Sequence, residues 1–208
     1  MGAGSAGLAE YLPGYLNLDR VKKSNVIVAG SINKVTHNQL DYVRNNSEII
    51  MIDIDINRLF TEDKRLEMSR IKDIIHNSSQ KGVDIAIRSA PLPRDKPGGV
   101  EKGKESGPNN PRVSERIATF FGEIAAHIIK EIEINGILLT GGDIAVRTAN
   151  CLGITGTVIE NEIVPGIPYG HFADEEYKNV TIVTKAGGFG GDDAIFQVLK
   201  FLNKRAGE

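Results

Sequence analysis

Short apolar runs alternate with longer amphipathic segments along most of this chain, and this alternation limits the folds that the sequence can form. Five runs rich in valine and isoleucine show little polar alternation, which is typical of strands that are covered on both faces of a sheet. They span residues 25–30, 49–54, 83–87, 137–140 and 180–184. Residues 156–164 are a sixth strand candidate, although charged residues interrupt the apolar pattern.

Segments with helical spacing lie between these runs. Apolar residues recur at every third or fourth position over residues 113–132, which predicts a long amphipathic helix. Shorter helices are predicted around residues 71–75, over residues 143–152 and after Asp193. Strands that alternate with helices predict an α/β layered fold, in which a mostly parallel sheet is flanked by helices within a single domain.

The composition excludes several classes of protein. The 208 residues carry 25 basic and 27 acidic side chains, so this near-neutral chain lacks the basic character of a nucleic-acid-binding protein. The single cysteine, Cys151, cannot form an internal disulfide and is expected in the core. No apolar run is long enough to span a bilayer, and the N-terminus lacks the pattern of a secretory signal. These features predict a cytoplasmic protein that binds neither nucleic acid nor membrane.

A segment rich in proline, glycine and charge follows the third predicted strand. Residues 91–111 contain five of the eight prolines of the chain. Such a composition cannot bury enough surface to fix one conformation, which favours disorder. Loops of this length are also typical of functional lids, and a lid is the alternative interpretation.

Three glycine-bearing turns each follow a predicted strand and precede a predicted helix. In a parallel sheet such turns lie at one edge, where open α/β folds bind their ligands. Glycine allows the backbone to approach a ligand closely, and the N-terminus of a helix favours phosphate. Although glycine is common in any such turn, three turns at one edge favour a phosphate or nucleotide site. Its candidate residues are Ser31, Gly141, Gly142, Asp143, Lys185, Gly187, Gly188 and Gly190.

The acidic residues beside these glycines have two interpretations. Asp192 and Asp193 are expected to cap the last helix. Asp143 fits a helix cap and a magnesium ligand equally well. The four histidines show no paired spacing, so no metal site built from protein side chains is predicted. His171 is expected in a loop that could border the site.

Two better-known nucleotide motifs do not account for the turns. The pattern G-x-x-x-x-G-K-[ST] is absent from the sequence. Residues 2–7 spell G-x-G-x-x-G, but no strand precedes them, as a dinucleotide site requires. Asp53 and Asp55 lie 22 and 24 residues after Ser31, close to the spacing of the acidic residue in such a site. A dinucleotide-dependent oxidoreductase is therefore kept as the last of three alternatives.

The glycine turns also resemble those of a known family. The chain resembles the C-terminal, nucleotide-binding half of the four-carbon acid sugar kinase family, long known only as a domain of unknown function. The matching stretches are GSAGLAEYL (4–12), VIVAGSINKVTHNQL (26–40), LLTGGDIAVRTANCLGI (138–154), EIVPGIPYG (162–170) and VTKAGGFGGDDAI (183–195). They follow the order of the family and extend almost from end to end of the chain.

The resemblance implies phosphorylation of short sugar acids, such as 3-oxo-tetronate, threonate or erythronate, with ATP and Mg²⁺. It implies that the candidate residues above contact ATP, together with Ile144, which stands where many members have threonine. Pro165 and Gly166 would shape the nearby wall. Phosphoryl transfer requires mainly positioning and charge stabilisation, which backbone amides, a lysine and Mg²⁺ can supply.

The family also has an N-terminal half, which binds the sugar acid and has no counterpart in this sequence. Residues 1–24 are therefore expected to be a linker or helix remnant that joins a missing N-terminal domain, and residues 25–208 to be the nucleotide-binding domain. In the leading hypothesis a missing domain or partner chain supplies the acceptor site and the catalytic residues, none of which is assigned here. This chain alone would then bind ATP with little or no kinase activity.

Two further expectations concern partners. The alternative function is a non-catalytic module that binds a nucleotide or another phosphorylated metabolite. An interface meant for a missing half would expose an apolar patch, which predicts a homo-oligomer.

Overall fold

A computed structural model describes residues 22–30, 33–90 and 111–206 of the chain. These ranges contain seven strands, five α-helices and one 3-10 helix, Ile56–Phe60. The strands are β1 (Ser24–Ala29), β2 (Ile49–Ile54), β3 (Asp84–Ser89), β4 (Ile134–Thr140), β5 (Thr157–Val164), β6 (Ile167–Phe172) and β7 (Thr181–Lys185). The α-helices are α1 (Lys34–Asn46), α2 (Lys64–Ser79), α3 (Pro111–Glu131), α4 (Gly142–Leu152) and α5 (Ala194–Arg205).

The strands form one mixed sheet in the order β2-β3-β1-β4-β7-β6-β5. The first five strands in this order are parallel, and β6 and β5 complete the sheet as an antiparallel hairpin. The carboxyl ends of the parallel strands are aligned, with Ala29 of β1 beside Thr140 of β4, and Thr140 beside Lys185 of β7. The predicted α/β fold with a mostly parallel sheet in a single domain is confirmed.

Helices cover both faces of this sheet. Val26 and Val28 of β1 belong to the core beneath α2, α3 and α4, whereas Ile27 and Ala29 belong to the core beneath α1 and α5. All four side chains are fully buried. Since both faces are covered, the central strands are apolar at nearly every position, which explains the runs seen in the sequence.

The chain leaves the neighbouring strands β1 and β4 toward opposite faces of the sheet. α1 follows β1 on one face, and α4 follows β4 on the other. In open α/β sheets the carboxyl end between two such strands forms a crevice, which is where ligands bind. The turns after β1, β4 and β7 therefore lie at the edge of the sheet where a ligand is expected.

β6 was not expected from the sequence, which predicts a loop around His171. Pro168 and Gly170 are unusual inside a strand. Glycine is needed at position 170, because a Cβ there would lie only 1.8 Å from the carbonyl oxygen of Val158 on the paired strand β5. His171 pairs with Thr181 at the start of β7. His171 thus lies in a strand rather than a loop, and it does not border the site because this is the end of the sheet opposite the glycine turns.

Cys151 also departs from its expected place. Ile144, Thr148 and Leu152 form the buried face of α4, spaced by four residues, and Cys151 lies one position off this stripe. Its side chain is exposed rather than in the core. Gly153 ends the helix in a left-handed conformation with φ of 74°. Glycine is the residue that most often adopts this conformation at the end of a helix.

Several sequence interpretations concern residues outside the described ranges. They are the G-x-G-x-x-G pattern of residues 2–7, the linker of residues 1–24 except for its last three residues, and the segment 91–111 except for Pro111. The division into a linker and a domain of residues 25–208 stays a prediction. Within the described ranges, no helix combines the length and the apolar character needed to cross a membrane.

Candidate functional site

The three glycine turns meet at the carboxyl edge of the sheet. The Gly141 N–H donates to the carbonyl oxygen of Lys185 at 2.9 Å, which joins the turns after β4 and β7. A Cβ on Gly30 would lie 2.8 Å from Cδ1 of Ile144, and one on Gly188 would lie 3.7 Å from Nδ2 of Asn33. The turn after β1 therefore contacts both of the others. Ser31 itself lies outside the described residues.

Lys185 ends β7 as a buried cation. It is only 2% exposed, and its Nζ donates to the carbonyl oxygens of Ala186 at 3.0 Å and Gly187 at 3.2 Å. No carboxylate pairs with Lys185 among the ion pairs of the described residues. Burial penalises the charged form and lowers the pKa of Lys185 to about 8. An anion at this position would supply the missing partner.

Thr140 adds a second polar group next to Lys185. The two residues are neighbours in the β4–β7 register. The Thr140 side chain is fully buried, and its hydroxyl has no hydrogen-bond partner within the described structure. An unpaired buried hydroxyl is costly, and a bound ligand or water would relieve that cost.

Two residues of α1 hold the glycine-rich loop of residues 187–191. Thr36 Oγ1 donates to the carbonyl oxygen of Gly187 at 2.7 Å. Gln39 Nε2 is within 2.8–3.1 Å of the carbonyl oxygens of residues 189, 190 and 191. Both side chains are fully buried. Neither residue was predicted from the sequence, although a threonine and a glutamine three residues apart on the buried face of a helix could have indicated a polar contact.

Glycine is required at position 190 of this loop for two reasons. Gly190 has φ of 81°, a conformation that other residues rarely adopt. A Cβ there would also lie 2.5 Å from Cβ of Ala194, at the start of α5. Gly190 therefore allows the loop to pass tightly into α5.

A cavity of about 260 Å³ opens between the turns after β4 and β7 and the β5–β6 hairpin. Gly142, the first residue of α4, lines it. The amides of Ile144 and Ala145 bond to the carbonyl oxygen of Gly141, whereas the first amides of a helix have no partner within it. Phosphate is favoured at such an end. The remaining lining residues are Leu139, Gly141, Gly166, Pro168, Thr184, Lys185 and Ala186.

Ile144 lies near this cavity, but its side chain points away from solvent. It is only 4% exposed, and its Cδ1 packs beside Gly30 and Gly141. Its amide is already used within the turn. Ile144 therefore supports the glycine turns by packing and presents no free polar group to a ligand.

Of the acidic residues beside the glycine turns, Asp143 and Asp192 are exposed and Asp193 is half-buried. Asp143 is exposed in the first turn of α4, directly after Gly142. Asp193 occupies the N-cap position of α5, but its side chain makes no capping bond and accepts instead from Gln197 Nε2 at 2.8 Å. Asp193 therefore has the expected N-cap position without a side-chain capping bond, and Asp192 lies one residue before the cap. In the described part of the chain, no three His, Cys, Asp or Glu side chains cluster in a way that could hold a metal ion.

The acidic residues proposed for a dinucleotide site are not next to β1. β3 lies between β1 and β2, so Asp53 on β2 is roughly 10 Å from β1. The Asp53 carboxylate accepts from Arg88 Nε at 2.7 Å. Asp55 accepts from the Asn57 N–H at the start of the 3-10 helix. Both side chains have structural partners, so the structure argues against the oxidoreductase alternative.

Comparison with known proteins agrees with this geometry. Residues 26–195 match a protein family described as a nucleotide-binding C-terminal domain. The chain belongs to this family. It is the nucleotide-binding C-terminal domain of the four-carbon acid sugar kinase family, as the glycine turns indicated.

Two relatives of this nucleotide-binding domain are sugar-acid kinases. The chain is 30% identical over 202 residues to the D-threonate kinase of Salmonella typhimurium. This match covers 97% of this chain and 48% of the relative. It is 22% identical over 183 residues to the D-erythronate kinase of Heliobacterium modesticaldum. This second match covers 86% of this chain and 42% of the relative. The chain thus spans about half the length of these kinases.

A solved structure shares the fold of this domain. It is a citrate-bound, domain-swapped dimer of a domain of unknown function from Bordetella bronchiseptica. The TM-score is 0.71 at 22% identity, over 97% of this chain and 46% of the other.

Proposed function

We propose that this domain binds ATP with its phosphates between the turns that follow β1, β4 and β7. The observation that carries the proposal is Lys185, a buried ammonium group whose only partners among the described residues are two backbone carbonyl oxygens. A bound phosphate would provide the negatively charged partner that this ammonium group lacks. The amides at the start of α4 would add hydrogen bonds and the positive end of the helix dipole.

Each predicted residue has a role in this proposal. Gly141, Gly142, Gly187 and Gly188 present backbone without side chains, and Gly190 shapes the loop. Lys185 supplies the charge, and Ser31 would add a hydroxyl from the turn after β1. Ile144 packs behind the turns. These assignments remain predictions.

Mg²⁺ fits the residues present. This ion is usually held by one or two carboxylates together with substrate phosphates, and Asp143 is an exposed carboxylate directly after the cavity-lining Gly142. When bound, the ion would neutralise charge on the transferred phosphoryl group. Asp143 is therefore the residue that we propose as its protein ligand.

We propose that the reaction served by this site is the phosphorylation of a short sugar acid. The support is the similarity to kinases named for D-threonate and D-erythronate. Because the chain spans about half of those proteins, the acceptor site and the general base are proposed to lie outside it. The chain alone should bind ATP but transfer little or no phosphate.

Calorimetric titration of the 208-residue chain with ATP and Mg²⁺ tests the binding. Lys185→Met keeps the length of the side chain and removes its charge, so affinity should fall about tenfold or more. Lys204→Met, at an exposed position near the end of α5, is the matched control and should leave affinity unchanged. Absence of any binding by the unaltered chain would refute the proposal.

The alternative, a non-catalytic module for phosphorylated metabolites, is separated by a reconstitution assay. The chain is mixed with the N-terminal half of the S. typhimurium D-threonate kinase, ATP, Mg²⁺ and D-threonate. Formation of a phosphorylated acid supports the kinase assignment. ATP binding without any transfer favours the non-catalytic module.

The remaining partner prediction is self-association of the chain. Light scattering of the chain alone measures it.

A further inference from the structure

Phe189 stands at the centre of the glycine-rich loop with its ring in solvent. It is 54% exposed, and two glycines flank it on each side. Its backbone is anchored, because its N–H donates to the carbonyl oxygen of Ala186 at 3.1 Å and its carbonyl oxygen accepts from Gln39 Nε2 at 2.9 Å. The loop therefore fixes the position of the residue while its ring remains available.

The ring of Phe189 rests on a glycine of the cavity wall. Gly166, in the turn between β5 and β6, has φ of 79°, and a Cβ there would lie 2.8 Å from Cδ1 of the Phe189 ring. Gly166 also lines the cavity beside the start of α4. A side chain at position 166 would displace the ring from the rim of this cavity.

Phe189 differs from other exposed rings in the described residues. Phe60 lies under the guanidinium of Arg116, and Tyr42 packs edge-on against Phe196. No ring or cation contact of this kind involves Phe189 in the described part of the chain.

The size and lining of the cavity indicate which part of a nucleotide it can hold. About 260 Å³ is smaller than the roughly 300–1,000 Å³ typical of pockets for whole ligands. Gly141, Gly142 and Lys185, which are proposed to hold the phosphates, line this cavity. The phosphates would therefore fill it, and the base of the nucleotide would lie at its rim.

Resting on the proposed function, we infer that the nucleobase of ATP lies at the rim of this cavity and that Phe189 stacks on the base. Aromatic side chains stack on bases with an appreciable gain in binding, and they do so with little dependence on base identity. Phe189 would thus hold the base, while Lys185 and the turn amides hold the phosphates.

Comparing ATP with inorganic tripolyphosphate separates these two roles. Phe189→Ala should weaken ATP binding by about fivefold or more and leave tripolyphosphate binding unchanged. Phe189→Tyr, which keeps the ring, should retain ATP affinity. Phe60→Ala is the matched control, because Phe60 is a partly exposed ring that follows β2 at the far edge of the sheet. It should change neither ligand.

The absence of tryptophan from the chain provides a second measurement. In Phe189→Trp the new indole is the only one, so ATP should change its fluorescence while tripolyphosphate should not. If Phe189→Ala binds ATP as well as the unaltered chain does, or weakens both ligands equally, the stacking role is wrong while ATP binding itself stands. If the unaltered chain binds no ATP, both the function and this inference fail.

Discussion

Lys185 carries a buried positive charge that has no carboxylate partner among the described residues. Such a group destabilises the folded chain while it is protonated, which is why its pKa is lowered to about 8. Between about pH 8 and the ordinary pKa of 10.5, the unfolded chain keeps this proton while the folded chain loses it. The contribution of Lys185 to stability therefore rises with pH across this window.

Ligand binding should show the opposite pH dependence. Phosphate favours the protonated form of Lys185, so ATP affinity should fall as pH rises through about 8, and binding above that pH should take up protons. Calorimetry in buffers of different ionisation enthalpy measures this uptake. In Lys185→Met both effects should disappear. A pH-independent affinity in the unaltered chain would contradict the role of Lys185.

Two glycines of the same loop should respond differently to alanine. Gly190→Ala combines a positive φ with a Cβ overlap at 2.5 Å, so the free energy of unfolding should fall by about 1–3 kcal/mol. Gly188→Ala is the control for stability, since its Cβ would meet only Asn33 Nδ2 at an ordinary 3.7 Å. Urea denaturation compares the two variants. Equal losses would show that the loop is not held as described.

At the scale of elements, α1 and the loop after β7 act as one unit. Thr36 and Gln39 belong to α1, yet their hydrogen bonds are made to a loop about 150 positions later in the chain. These bonds satisfy carbonyl oxygens of the loop and direct its backbone toward the site. A change in α1 should therefore alter the site without touching a ligand.

Gln39→Ala tests this coupling. Removal of the Gln39 side-chain amide leaves several loop carbonyl oxygens without their donor, so the free energy of unfolding should fall by about 1–3 kcal/mol. Amide exchange in residues 187–191 should become faster, and ATP affinity should fall. Gln197→Ala is the control, because the exposed Gln197 side chain donates to Asp193 at the N-cap of its own helix and not to the loop carbonyl oxygens described here. Unchanged exchange in Gln39→Ala would mean that α1 does not hold the loop.

Across the whole molecule, the end of the sheet opposite the site is held by a buried polar network. Asp84 at the start of β3 accepts from the Asn25 N–H at 2.8 Å and from the side-chain amides of Asn25 and Asn203 at 3.1 Å and 3.0 Å. It thereby joins β1, β3 and α5. This network and the glycine turns thus lie at opposite ends of the strands.

Asp84→Ala should lower the stability of the fold without changing the affinity for ATP. Removing the carboxylate leaves buried donors unpaired, so the free energy of unfolding should fall by about 3 kcal/mol, while ATP affinity of the folded chain stays the same. Glu133→Ala, which removes an exposed carboxylate paired with Lys23, should cost little. Denaturation and calorimetry on the same samples measure both. A large loss of affinity in Asp84→Ala would show that the two ends are coupled.

The elements and the edge that carries the glycine turns could be predicted from local patterns. Apolar runs gave the five parallel strands, helical spacing gave α3 and α4, and the positions of the glycines identified the turns. These features depend on residues close together in the sequence, where backbone preference and side-chain alternation act directly. β6 was missed because its pairing with β5 and β7, rather than its own composition, makes Pro168 and Gly170 acceptable in a strand.

Amino-acid order alone thus determined the α/β class, the covered sheet and the family, because periodicity and turn chemistry are local properties. Tertiary structure alone decided that β3 separates Asp53 from β1, that Gln39 holds the loop after β7, and that Lys185 is buried with no carboxylate partner in the described part of the chain. Each of these depends on which distant segments pack together, and the energy of that packing is not contained in any single segment.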